Sequence, residues 1–75
     1  MAKKDLKKVP VDSTNLEWVA YDKETEDLYI QFRSGGLYVY RKVPENIYKD
    51  LLNAGSKGRF HNMKIKWKYD YEKID

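Results

Sequence analysis

The sequence has no cysteine, a single histidine, two prolines and four glycines. Without cysteine a small fold gets no disulfide staple and a reaction no thiolate, and one imidazole cannot complete a zinc set. No apolar run approaches the ~20 residues that span a bilayer. The opening Met1-Ala2-Lys3-Lys4-Asp5-Leu6-Lys7-Lys8 is basic but lacks the apolar stretch of a secretory signal. A cytoplasmic chain with no membrane association, metal or cofactor is expected. Catalytic patterns are missing too. His61 has no recognisable Ser-His-Asp or Cys-His company, so no catalytic residue and no enzyme activity are expected. The acidic stretch of Asp22, Glu24, Glu26 and Asp27 lacks the residue order of a calcium loop and reads as a solvated turn.

What remains is a composition that must fold. With 41% hydrophobic, 15% aromatic and 36% charged residues, the 75-residue chain is too apolar for disorder and too charged for a membrane span. A domain this small buries only roughly 60% of its unfolded surface, so burial of aromatic rings has to supply the stability.

Charge is unevenly placed. Lys3, Lys4, Lys7 and Lys8 against Asp5 account for the whole net charge of +3. In residues 12–27, six carboxylates (Asp12, Glu17, Asp22, Glu24, Glu26 and Asp27) face only Lys23. Residues 57–68 hold Lys57, Arg59, Lys64, Lys66 and Lys68 and no carboxylate at all. A basic end of this kind suits a polyanion, since clustered cations release counterions from phosphates. It equally suits solvated surface or pairing with the acidic half.

Residues 1–8 read as a flexible basic tail, ordered from Val9-Pro10-Val11 onward. After the turn-rich Asp12-Ser13-Thr14-Asn15 comes a strand of mixed pattern, Leu16 to Tyr21. Leu28, Ile30 and Phe32 alternate onto one face of the next strand. A loop of Ser34-Gly35-Gly36 then leads into Leu37-Tyr38-Val39-Tyr40-Arg41. That loop length sets Phe32 opposite Tyr38 and turns Tyr38 and Tyr40 into the core, whereas a Gly35-Gly36 loop would turn both outward as platforms for unpaired bases. Pro44 and Glu45 open a helix over about residues 44–54, with Ile47, Tyr48, Leu51 and Leu52 as its apolar stripe and a glycine cap at Asn53-Ala54-Gly55. Beyond Ser56 the pattern is ambiguous. Ile65, Trp67, Tyr69 and Tyr71 alternate as in a strand, while His61, Ile65 and Tyr69 stack as on a helix. A short second helix from Lys57 is expected, with residues 72–75 as a C-terminal tail. The fold class is α+β: a small antiparallel meander of three or four strands covered by one amphipathic helix, then the second helix.

Taken together, Val11-x-Ser13-x-Asn15-Leu16, Tyr21-Asp22, Leu28-x-Ile30-x-Phe32, Gly36, Tyr38-x-Tyr40, Val43-Pro44, Tyr48, Ala54-x-Ser56-Lys57-Gly58, Phe60-x-Asn62, Ile65 and Tyr69 resemble the KTSC domain. That family is named for the C-terminal region of some lysyl-tRNA synthetases and also occurs as small stand-alone proteins. The resemblance covers residues 9–71 and implies one domain. It departs from the family pattern at His61, where a second aromatic is common after Phe60, and at Asp70, where proline is frequent. The synthetase context implies RNA binding.

Two candidate sites follow. Ser56, Lys57 and Gly58 lie where the free N–H groups of a helix start could hold an anion, although the glycine loop of a P-loop is missing. The alternative is that Ser56 only caps a helix and Gly58 permits a tight corner. Lys57, Arg59, Lys64, Lys66 and Lys68 with Trp67 combine cations for phosphates with an indole for stacking; Trp67 could equally be a packing anchor. The expected function is a non-enzymatic module for nucleic acid, RNA favoured. The alternative is a protein-interaction adaptor, suited to a phage or prophage setting, that uses the segregated charge.

Overall fold

The computed structural model describes residues 6–75; of the basic tail expected at residues 1–8, positions 1–5 lie outside the described residues. Among the described residues, Lys8 Nζ sits 4.9 Å from the ring centroid of Trp18. Within residues 6–75, five strands, β1 (Val9–Pro10), β2 (Leu16–Asp22), β3 (Asp27–Phe32), β4 (Leu37–Tyr40) and β5 (Tyr71–Lys73), form one antiparallel sheet in the order β1-β2-β3-β4-β5. Helix α1 (Glu45–Asn53) follows β4. A four-residue helix, α2 (Lys57–Phe60), runs directly into a π-helical turn over His61–Ile65, closed by the Lys66 N–H donating to the His61 carbonyl at 2.8 Å.

The mixed pattern of β2 has a local cause. Leu16 pairs with Phe32 but Trp18 pairs with Gln31, so Glu17 is the extra residue of a β-bulge. The bulge resets the alternation, and Leu16 and Val19 both reach the core with no exposed surface. They meet Leu28, Ile30, Tyr40, Val43, Leu51 and Ile65 in one buried cluster. On the opposite face Ala20 and Val39 flank half-buried Tyr29.

The β3–β4 turn lies one residue earlier than its sequence suggests. Phe32 N–H donates to the Gly36 carbonyl and Gly35 N–H to the Phe32 carbonyl, so the loop is Arg33-Ser34-Gly35. Gly35 and Gly36 both hold positive φ, near +100°. Tyr38 therefore faces Ile30 rather than Phe32. A slip of two residues keeps every side chain on its face, which is why Tyr40 is still buried in the core and Tyr38 packs against it.

Three expectations about chain ends need correction. Helix α1 is preceded by Pro44 in extended conformation and ends at Ala54, whose backbone is also extended; Gly55 is not a left-handed cap. Instead, Lys57 Nζ donates to the Ala54 carbonyl at 3.0 Å. Residues 72–75 are not a free tail. Glu72 and Lys73 lie in β5, Ile74 N–H donates to the Leu37 carbonyl, and Leu37 N–H donates to the Asp75 carbonyl at 2.9 Å. The alternation from Ile65 to Tyr71 becomes a strand only at its last member, because the π turn occupies the first.

Candidate functional site: an aromatic cavity beside a basic helix

The cavity is assembled from two loops, the ends of β3, β4 and β5, and the π turn, and the basic surface from α2, the π turn and the residues after it. Ser13 Oγ accepts from the N–H groups of Asn15 and Leu16, and Arg33 ties this turn to the β3–β4 loop through Nε to the Ser13 carbonyl and N–H to the Asn15 carbonyl. Between them and the π turn opens a cavity of about 340 Å³, lined by Thr14, Asn15, Phe32, Ser34, Gly35, Tyr38, Tyr40, His61, Asn62, Lys66 and Tyr71.

Its walls are rings. Phe32 meets Tyr38 edge-on at 5.4 Å and His61 at 5.2 Å; Tyr71 tilts against Tyr38 at 5.9 Å and Tyr40 at 5.7 Å. Tyr40 Oη and His61 Nε2 are 2.6 Å apart. Burial, with help from the Lys66 ammonium, holds the His61 imidazole down to about 4, so it is neutral at physiological pH. Burial, reinforced by Tyr38 and Tyr71, pushes the Tyr40 phenol up to about 12. The cavity floor is therefore uncharged, and its two polar groups satisfy each other.

Outside the cavity, Trp67 is 79% exposed and Met63 63%. Lys66 Nζ lies 5.1 Å from the Trp67 ring centroid and Lys66 also lines the cavity, so one cation belongs to both places. Among the described residues, no carboxylate pairs with Lys57, Arg59, Lys64, Lys66 or Lys68; the ion pairs that do form are Arg41 with Asp27 and Glu72, and Lys49 with Glu45. The acidic half thus leaves the basic helix uncovered.

The residue pattern over the middle of the chain decides the family: the KTSC domain model matches residues 12–69. The chain belongs to the KTSC domain family. Similar proteins come in two sizes. A lysine–tRNA ligase of Nostoc punctiforme is 44% identical over 55 residues, which are 73% of this chain but 10% of the ligase. A Stutzerimonas stutzeri protein is 39% identical over 71 residues, 93% of this chain and 100% of its own length. In three dimensions, the crystal structure of a KTSC domain protein from Yersinia pestis superposes with a TM-score of 0.91 at 38% identity, covering 95% of this chain and 100% of that one.

Within this KTSC domain the residues singled out from the sequence divide. Ser56 Oγ accepts the Arg59 N–H at 3.4 Å and caps α2. Lys57 is drawn back to Ala54. A Cβ at Gly58 would stand 2.9 Å from Asn15 Nδ2, so this glycine permits a close approach of helix and loop. Those three therefore have work inside the fold. Ser56, Lys57, Gly58 and Arg59 line a second, larger hollow of about 580 Å³, Arg59 and Lys64 border another, and Lys66 the aromatic cavity. Trp67 is no packing anchor.

The Tyr40–His61 pair went unrecognised in the sequence. Twenty-one residues separate the partners, and only the pairing of β4 with the core beneath the π turn joins them. The one available signal was His61 itself, a histidine where the family favours an aromatic ring.

Proposed function

We propose that this KTSC domain is a non-enzymatic cytoplasmic module that binds nucleic acid, RNA in preference, through Lys64, Lys66, Trp67 and Lys68, with Arg59 as a flanking contact. The observation that carries this reading is the exposure of Trp67 beside lysines that no described carboxylate neutralises. An exposed indole offers a face for a base, and the ammonium groups offer contacts to phosphates on either side. Lysine contacts to phosphate carry no sequence information, so the module prefers single strands without reading their order strongly. The same domain type in lysine–tRNA ligases, proteins that act on tRNA by their name, supports an RNA ligand.

Titrating labelled single-stranded RNA, duplex RNA and single-stranded DNA at low and at physiological salt tests this. Binding of single strands that weakens steeply with salt supports the proposal; no binding of any strand at low salt defeats it. A protein-interaction adaptor is then the reading, favoured by exposed Met63 and by the spread of the cations over more than one depression.

A further inference from the structure

We propose that the aromatic cavity between the β3–β4 loop and the π turn accepts one unstacked nucleobase of a bound RNA strand, the neighbouring base resting on Trp67. This rests on the nucleic-acid reading above and adds a base site that the surface lysines do not require. Size comes first. At about 340 Å³ the cavity is at the lower end of small-ligand sites, large enough for a single base with its sugar.

Chemistry then selects the occupant. Tyr38 and Tyr71 stand at 47° to each other, and Tyr71 is 53% exposed although it contacts two other rings. A planar heterocycle lying against Tyr71 would cover that open surface. The floor is the Tyr40–His61 pair, each group already bonded to the other, so it offers no free charge to a carboxylate or phosphate. Asn15 and Asn62 stand in the lining with amide groups that both donate and accept, which suits the edge of a base. An anion in the cavity would have Lys66 alone to neutralise it; an uncharged ring attached to a phosphate uses Lys66 better, with the ring inside and the phosphate on the ammonium.

Lys66 also sets the geometry of the strand. Its Nζ is 5.1 Å from the Trp67 ring centroid while its side chain lines the cavity, so a phosphate held there joins a base in the cavity to the next one on Trp67. Two adjacent bases separated by one neutralised phosphate match the repeat of a single strand.

The test records amide and aromatic shifts of the isotope-labelled full chain on addition of a short single-stranded RNA of mixed sequence. It is repeated with Tyr71→Ala, Tyr71→Phe and Thr14→Trp, the last filling the cavity mouth without removing a wall, each checked by circular dichroism. The expected result is shifts at Tyr38, His61 and Tyr71 together with Trp67, an affinity loss of roughly tenfold for Tyr71→Ala and for Thr14→Trp, and little change for Tyr71→Phe. If the strand moves Trp67 and the lysines but leaves the cavity signals and all three variants unaffected, the base site is wrong and the nucleic-acid reading stands. If no strand binds, adenosine, guanosine, cytidine and uridine are added singly. Shifts confined to the cavity then keep the base site and reject the strand reading, and silence from all four rejects both.

Discussion

Tyr40 Oη lies 2.6 Å from His61 Nε2, joining the second tyrosine of the Tyr-x-Tyr pair to the first residue of the π turn across 21 positions of sequence. The two rings also meet edge-on at 5.3 Å and 76°. This contact locks the basic helix onto the sheet, and it forms the floor of the cavity. Tyr40→Phe keeps the ring and removes the hydroxyl, leaving a buried imidazole nitrogen without its partner. A loss of about 1–2 kcal/mol is expected in urea unfolding. A change within error would show that water replaces the hydroxyl without cost.

The same pair makes stability depend on pH. The folded-state pKa of His61, about 4, is below its ordinary 6.5, so between these values the unfolded chain binds more protons. The stabilisation from a neutral His61 is complete above pH 6.5 and is lost as pH falls towards 4. The slope is at most about 1.4 kcal/mol per pH unit, and less to the extent that the open cavity wets the ring. Unfolding of the wild type and of His61→Phe between pH 5 and pH 7, above the ordinary carboxylate range, isolates the effect. The wild type should weaken on acidification more than the variant; parallel curves would assign the sensitivity to other groups.

Much of the architecture was legible because it depends on local pattern. Leu28, Ile30 and Phe32 declare a face by alternation, and Ile47, Tyr48, Leu51 and Leu52 declare one by helical spacing. The bulge at Glu17 was hidden, since only pairing with β3 shows that one residue is extra. Strand β5 was blurred for a related reason: the alternation from Ile65 to Tyr71 competes with helical spacing over the same residues, and of these only Tyr71, packed against Tyr38 and Tyr40, lies in the strand. Of the site, the basic helix and Trp67 could be found from residue type, but the cavity is built from segments far apart in sequence.

That edge strand provides a third test. Removing residues 71–75 would unpair Leu37, free Arg41 from Glu72 and open one wall of the cavity. With several backbone hydrogen bonds lost at roughly 0.5–1.5 kcal/mol each, a destabilisation of about 2 kcal/mol or more is expected in thermal or urea unfolding. Retention of full stability would show that the pairing of these residues with β4 contributes nothing to the fold.

Among the described residues, two non-glycines adopt left-handed backbone, Glu26 at φ 61° and Lys42 at φ 56°. Glu26 closes the β2–β3 turn, its N–H donating to the Asp22 carbonyl and its own carbonyl accepting from Val43. Glu26→Gly relieves the steric conflict at Cβ while keeping both bonds, so the melting temperature should rise, with a gain of up to about 1 kcal/mol after the added unfolded-chain entropy is subtracted. A fall would mean that the Glu26 side chain itself stabilises the turn.

The central claim is that Lys64 of the π turn and Lys66 and Lys68 just after it contact phosphates. The salt dependence of single-stranded RNA affinity, compared between the wild type and the triple variant Lys64→Gln, Lys66→Gln and Lys68→Gln, measures this directly. Each lost phosphate contact lowers the log–log slope by ~0.7, so the variant should bind more weakly and with a slope shallower by about 2. Equal slopes for the two proteins would contradict the account, whatever their absolute affinities.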